Sequence, residues 1–190
     1  MVTVRSDALY CATRCRVAGN RRRAREATTF PLELVSKPRF VRWDLRARNG
    51  KATKVPLTVS GRAASSTDPG TWVSFDTARS STVGRGFGFV LGEGVGCIDL
   101  DDALEAGVVA PWAQLVLDAN PHTFVEVSQS GNGLHVFGLL DEGPGRKIRD
   151  GRNIEWYSVG RYIALTGVRF GAAPSRLAPM PLAWCSTTKA

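Results

Sequence analysis

The sequence predicts an α+β fold, a largely antiparallel sheet with flanking helices, and three features predict it. Short runs alternating apolar and polar residues recur along the chain, several bounded by turn dipeptides such as Asn49-Gly50, Glu93-Gly94 and Val159-Gly160. Helical periodicity is confined to two short segments. The chain has 190 residues, 43% apolar and 22% charged, which suits one domain with a full core, with or without a tail.

In chain order, residues 1–30 read as a flexible basic arm without sustained periodicity, and the domain is expected to span 31–171. Phe40–Trp43 and Lys54–Val59 read as strands joined by the Asn49-Gly50 turn. Ser65-Ser66-Thr67-Asp68-Pro69 is a helix-start signal, with Trp72, Phe75 and Ala78 expected on one face of a short helix. Gly86–Leu91 is a Gly-rich strand that turns at Glu93-Gly94 into Gly96–Asp101, so these two are expected to form an antiparallel hairpin. Ala110–Ala119 has an amphipathic pattern closed by Asn120-Pro121. Thr123–Val127 and Leu134–Leu139 follow as strands around a glycine-bearing loop. Asn153–Tyr157 and Arg161–Leu165 are expected to make a last hairpin. After Gly171 the chain becomes Pro/Ala-rich, and 172–190 reads as a tail or linker.

No apolar run approaches the roughly 20 residues that span a bilayer, and the N-terminus lacks the apolar stretch of a secretory signal. No membrane association and a cytoplasmic location are expected. Cys11 and Cys15 have no second CxxC or His pair to complete a zinc site, and Cys97 reads as a small core residue. The net charge of +8 is uneven: residues 1–30 hold seven arginines against Asp7 and Glu26. Residues 37–54 carry seven cations, among them Arg42, Lys51 and Lys54, against Asp44 alone. Arg146, Lys147, Arg149 and Arg152 form a further group. Such clusters suit a polyanion, and solvated faces are the alternative.

The chemistry centres on Gly96-Cys97-Ile98-Asp99-Leu100-Asp101-Asp102. Alternation projects Asp99 and Asp101 from one face, with Cα atoms roughly 6.5 Å apart. Two carboxylates so placed repel each other unless a cation neutralises them, and they can converge on divalent ions about 3.5–4 Å apart. A solvated strand end, with Asp101 or Asp102 capping a helix from Ala103, is the alternative. Ser128-Gln129-Ser130-Gly131-Asn132-Gly133-Leu134-His135 has the small residues of an anion nest, with His135 placed to donate to a phosphate oxygen. Glu155, flanked by Ile154 and Trp156, faces away from its apolar neighbours and suits a third carboxylate. Arg161 is expected to start the strand paired with Glu155.

The order Asp99-x-Asp101, then Ser128-x-Ser130-Gly131-x-Gly133-x-His135, then Ile154-Glu155-x-Tyr157 followed by Gly160-Arg161-Tyr162-x-Ala164-x-Thr166-Gly167 resembles the archaeo-eukaryotic primase superfamily. Within it the chain looks most like the primase–polymerase domains of phages, plasmids and integrated elements, over roughly Lys37 to Gly167. The resemblance implies an RRM-like catalytic core and template-directed nucleotidyl transfer in a bacterial or phage-infected host. It implies Asp99, Asp101 and Glu155 as ligands of two Mg²⁺ or Mn²⁺ ions, with His135 beside them. It implies nucleotide contacts from Ser128, Ser130, Gly131, Gly133, His135 and Arg161, and template contacts from Lys54 with Arg42 and Lys51. Single-stranded DNA, a primer and (d)NTPs would be the partners, with a replicative helicase in trans or on an adjacent domain. Gln129 stands where relatives commonly have proline, and the chain has no Walker-type phosphate loop. A two-metal nuclease, or an inactive replication-associated binding module, are the alternative readings.

Overall fold

The computed structural model describes residues 29–48 and 50–182. The arm up to residue 28, Cys11, Cys15, Cys185, Asn49 and the side chains of Arg48 and Lys51 lie outside the described residues. The elements are helix α1 (Leu32–Val35), strands β1 (Phe40–Arg48) and β2 (Lys51–Leu57), helix α2 (Phe75–Ser80), strands β3 (Gly86–Val90), β4 (Val95–Leu100), β5 (Leu104–Glu105) and β6 (Val108–Val109), helix α3 (Pro111–Ala119), and strands β7 (Val125–Val127), β8 (Leu134–Leu139), β9 (Arg146–Ile148), β10 (Ile154–Tyr157) and β11 (Tyr162–Ala164). The α+β class expected from the sequence is the class observed.

The strands divide between two antiparallel sheets, one ordered β11-β3-β1-β2 and the other β7-β8-β4-β10-β9, with β5-β6 a separate short hairpin. Both sheets feed one core: Phe40, Phe89 and Ile163 from the first meet Val95, Cys97 and Phe137 from the second. Phe30 joins this core edge-on to Phe75, Phe87 and Phe124. A second core lies on the other face of the five-stranded sheet, where Ile98, Leu100, Leu134, Val136, Ile154 and Trp156 pack with Ala113 and Val116 of α3.

Two expected hairpins are crossings between the sheets instead. β3 pairs with β1 and β11, while β4 pairs with β8 and β10, so the Glu93-Gly94 turn carries the chain from one sheet to the other. Gly92 and Val95 exchange both backbone hydrogen bonds across the turn (3.2 Å), but beyond that pair the backbone of β3 is taken by others. Arg39 donates to the Val90 and Leu91 carbonyls (both 2.8 Å), and Leu91 N–H donates to Arg161 O (2.9 Å). Likewise β10 pairs with β4 and β9, and β11 with β3, so Arg161 does not open a strand paired with Glu155.

The expected helix through Trp72 is two pieces. Asp68 caps a single 3₁₀ turn (Pro69–Thr71), the chain extends to bridge Val73 with Phe40, and Ser74 caps α2 afresh. No helix starts at Ala103. Asp102, at φ 54°, turns the chain into the β5-β6 hairpin. Beyond Gly171, where a linker or frayed end is expected, the described chain packs down: Leu177 and Met180 are buried, and Met180 N–H donates to Leu139 O (2.9 Å). Among the described residues no helix is long and apolar enough to cross a membrane.

Candidate active site

Strand alternation builds the site. In the five-stranded sheet, Cys97 lies opposite Phe137 and Tyr157, and Phe137 N–H donates to Phe124 O, an apolar row on the face that joins the shared core. Two residues further along each strand, the same face must carry the next row. That row is polar: Glu126 opposite His135, His135 opposite Asp99, Asp99 opposite Glu155, and Glu155 opposite Lys147. Five strands thus place three carboxylates, an imidazole and a lysine side by side at the edge of a hydrophobic layer.

Asp99 and His135 line a cavity of about 600 Å³ whose other walls come from the four-stranded sheet and its connections, including Thr53, Lys54, Ser66, Arg161 and Tyr162. His135 is buried, with Nε2 3.7 Å from Asp99 Oδ1 and Nδ1 2.9 Å from Glu126 Oε1. Burial pushes the Asp99 carboxyl above the usual carboxylate range. Asp101 and Glu155 add to that push, while His135 and Lys54 oppose it. Asp101 is exposed at the strand end, where its N–H donates to Asn153 O (3.0 Å).

Glu155 is surrounded by donors. Tyr157 Oη donates to its Oε2 (2.5 Å), Lys147 Nζ lies 3.0 Å from Oε1, Arg149 pairs with Oε1, and Arg161 Nη2 is 3.7 Å from Oε2. Burial raises the Glu155 carboxyl, but Tyr157, Lys147 and Arg149 outweigh it and hold the group below its usual range. Arg161 also stacks over the Tyr157 ring, 4.8 Å from its centroid, so it reaches Glu155 without sharing a ladder with it. Among the described residues no group of three or more His, Cys, Asp or Glu side chains gathers around one point.

The expected nucleotide contacts fall in two places. His135 and Arg161 face the cavity of Asp99. Ser128, Ser130 and Gly131 line a different one, of about 590 Å³, with Trp43, Arg85, Phe87 and Thr166. The loop closes largely on itself. Ser128 N–H donates to Gly133 O (2.8 Å), Gly131 N–H donates to Ser128 O (3.0 Å), and Ser130 donates to Asn132, which is tied in turn to Asp102 (2.8 Å). Gly133 is required by closeness, since a Cβ there would sit 2.8 Å from Leu100 O and from Ser128 Oγ. Lys54 faces the Asp99 cavity as expected of a cation near phosphates, but Arg42 is turned inward. It is buried, with Nε donating to Val83 O (2.6 Å) and Nη1 to Ala78 O (3.2 Å), so it braces α2.

Sequence reasoning passed over Glu126, and it placed Lys147 and Arg149 in a basic cluster without linking them to Glu155. The signal for Glu126 was in Phe124-Val125-Glu126-Val127, where an acid shares the inward face with Phe124.

No family model matches the chain. The chain is 35% identical over 144 residues, 70% of its length, to a protein named DNA Primase-polymerase from Nitratiruptor phage NrS-1. The match covers 20% of that protein, so the chain spans about a fifth of the length of the curated relative it matches.

Proposed function

We propose that the cavity over Asp99 and His135 is a site of template-directed nucleotidyl transfer, priming or extending DNA in the replication of a phage or other mobile element. The observation that carries this reading is the row Glu126–His135–Asp99–Glu155 opening into a cavity walled by Lys54 and Arg161. Its volume is in the range of small-molecule and cofactor pockets. Likeness to a phage primase-polymerase over 70% of the chain supports the same reading.

Carboxylate oxygens suit Mg²⁺ or Mn²⁺, and Asp99 lies directly opposite Glu155 with Asp101 at the end of its strand. Asp99, Asp101 and Glu155 are the residues that would hold two such ions. When bound, the ions would activate the attacking 3′-hydroxyl and stabilise the departing pyrophosphate. Lys54 and Arg161 hold phosphate charge from the opposite wall, and His135 Nε2 meets a phosphate oxygen from below. Lys147 and Arg149 shield Glu155 until a more highly charged anion draws them away, and a triphosphate is such an anion. Lys54 on β2 would also reach template phosphates, without reading sequence. Single-stranded template, primer and (d)NTPs are the partners, with a replicative helicase acting in trans or from an adjacent domain.

The test is incorporation of labelled dNTPs or NTPs on primed and unprimed single-stranded DNA with Mn²⁺ or Mg²⁺. Template-dependent products are expected, and the Asp99→Ala/Asp101→Ala double variant should abolish them while binding template. Degradation without incorporation would identify a nuclease. Template binding with neither reaction would identify a binding module.

A further inference from the structure

Among the described residues no Lys or Arg pairs with the buried Glu126 carboxylate, and its side-chain partner is His135. The Glu126 side chain is fully buried, two main-chain N–H groups donate to it, and His135 Nδ1 lies within hydrogen-bond distance of it. Oε1 meets His135 Nδ1 at 2.9 Å; the backbone N–H of Thr166 donates at 3.2–3.3 Å and that of Gly167 at 2.9 Å. A buried carboxylate persists only where hydrogen bonds satisfy it, and here they come from two parts of the fold. His135 belongs to β8 of the five-stranded sheet. Thr166 and Gly167 follow β11 of the other sheet, and Thr166 Oγ1 donates to Val127 O (2.6 Å) beside Glu126.

From this geometry we infer that Glu126 is the positioning residue of the site: it holds the proton on His135 Nδ1, which aims Nε2 into the cavity over Asp99, and it locks that aim to the β11 wall carrying Arg161. The inference rests on the proposed nucleotide site, which supplies the ligand that Nε2 meets. A carboxylate on Nδ1 fixes the ring's tautomer and orientation, as such outer partners do for imidazoles elsewhere. Glutamine in place of Glu126 presents an NH₂ to main-chain N–H donors and to a protonated Nδ1, so one contact must break.

Two measurements test this. The first needs only the wild-type protein. The chain has 2 histidines, so the His135 ring nitrogens are assignable by ¹⁵N NMR with His135→Ala as the control. A hydrogen-bonded, slowly exchanging proton on Nδ1 is expected, and a ring protonated on Nε2 alone would overturn the inference. The second is a double-mutant cycle on the affinity for Mn²⁺–dNTP. Glu126→Gln should weaken binding about 10–100-fold, the usual range for such supporting residues. In the His135→Ala background the same change should weaken it less than about twofold, because its target is gone. An equal loss in both backgrounds would make Glu126 a structural tie alone and contradict the inference. Should Glu126→Gln fail to fold, the wild-type resonance still decides. Failure of the wild type to bind any nucleotide would overturn the proposed function, and the Nδ1 proton would then decide the Glu126 assignment by itself.

Discussion

The two ends of the polar row are built differently. At one end Glu126 is sealed inside the molecule and held by main-chain amides and a ring nitrogen, groups that the backbone fixes in place. At the other end Glu155 is held by Lys147, Arg149 and Arg161, whose side chains are 42–56% exposed. Long, exposed cations exchange partners easily, whereas backbone donors cannot leave without unfolding a strand. The fixed end sets the geometry and the exchangeable end sets the charge. Asp99 lies between them, 3.7 Å from His135 on one side and opposite Glu155 on the other.

Breaking the middle of the row should have the largest effect. Asp99→Asn should lower nucleotide incorporation at least about 10³-fold, equivalent to about 4 kcal/mol of transition-state stabilisation. Because it also removes a buried, like-charge-burdened carboxylate, its melting temperature should match or exceed the wild type, as calorimetry can show. The fixed end rests on the apolar row, so Phe124→Ala should cost about 3–5 kcal/mol in urea unfolding, with loss of activity following loss of fold.

The exchangeable end should tolerate change. Lys147→Ala/Arg149→Ala should leave urea unfolding at pH 7 nearly unchanged while weakening Mn²⁺–dNTP affinity. Glu155, held below its usual range, contributes stability that is present above the ordinary glutamate value and lost as pH falls through its folded value. In that double variant the loss on the acid side should shrink, read as urea midpoints at pH 7 and pH 3. The smallest effect is expected at Tyr162 on the cavity wall, whose phenol burial pushes up to about 12. Its neutral form contributes stability present below about 10 and lost as pH rises towards 12. Tyr162→Phe should flatten that alkaline loss in denaturation measured across the window.

Much of the site was legible because it depends on alternation within single strands. The side of β4 that carries Asp99, the β8 strand that begins before His135, and the outward sense of Glu155 against Ile154 and Trp156 all follow from a period of two. Strand partners were not legible, because a turn dipeptide is local and a ladder is not. Glu93-Gly94 has the chemistry of a hairpin, yet Arg39 and Arg161 take the backbone groups that a β3-β4 ladder would use. Arg42 was misjudged by counting cations. Phe40 and Arg42 share a face, so the alternation that buried Phe40 also turned the arginine inward. The loop at Ser128–Gly133 reads as an anion nest by composition, but its amides at Ser128 and Gly131 are spent on its own carbonyls. Composition identifies a backbone free to turn, and only the fold determines what it turns toward.

The most direct test is a crystal structure with Mn²⁺ and a non-hydrolysable dNTP. Anomalous density at Asp99, with the triphosphate between His135 and the Lys54–Arg161 wall and Arg149 drawn off Glu155, is the predicted result. A nucleotide seated in the cavity of Trp43 and Ser130, with no manganese at Asp99, would contradict the account.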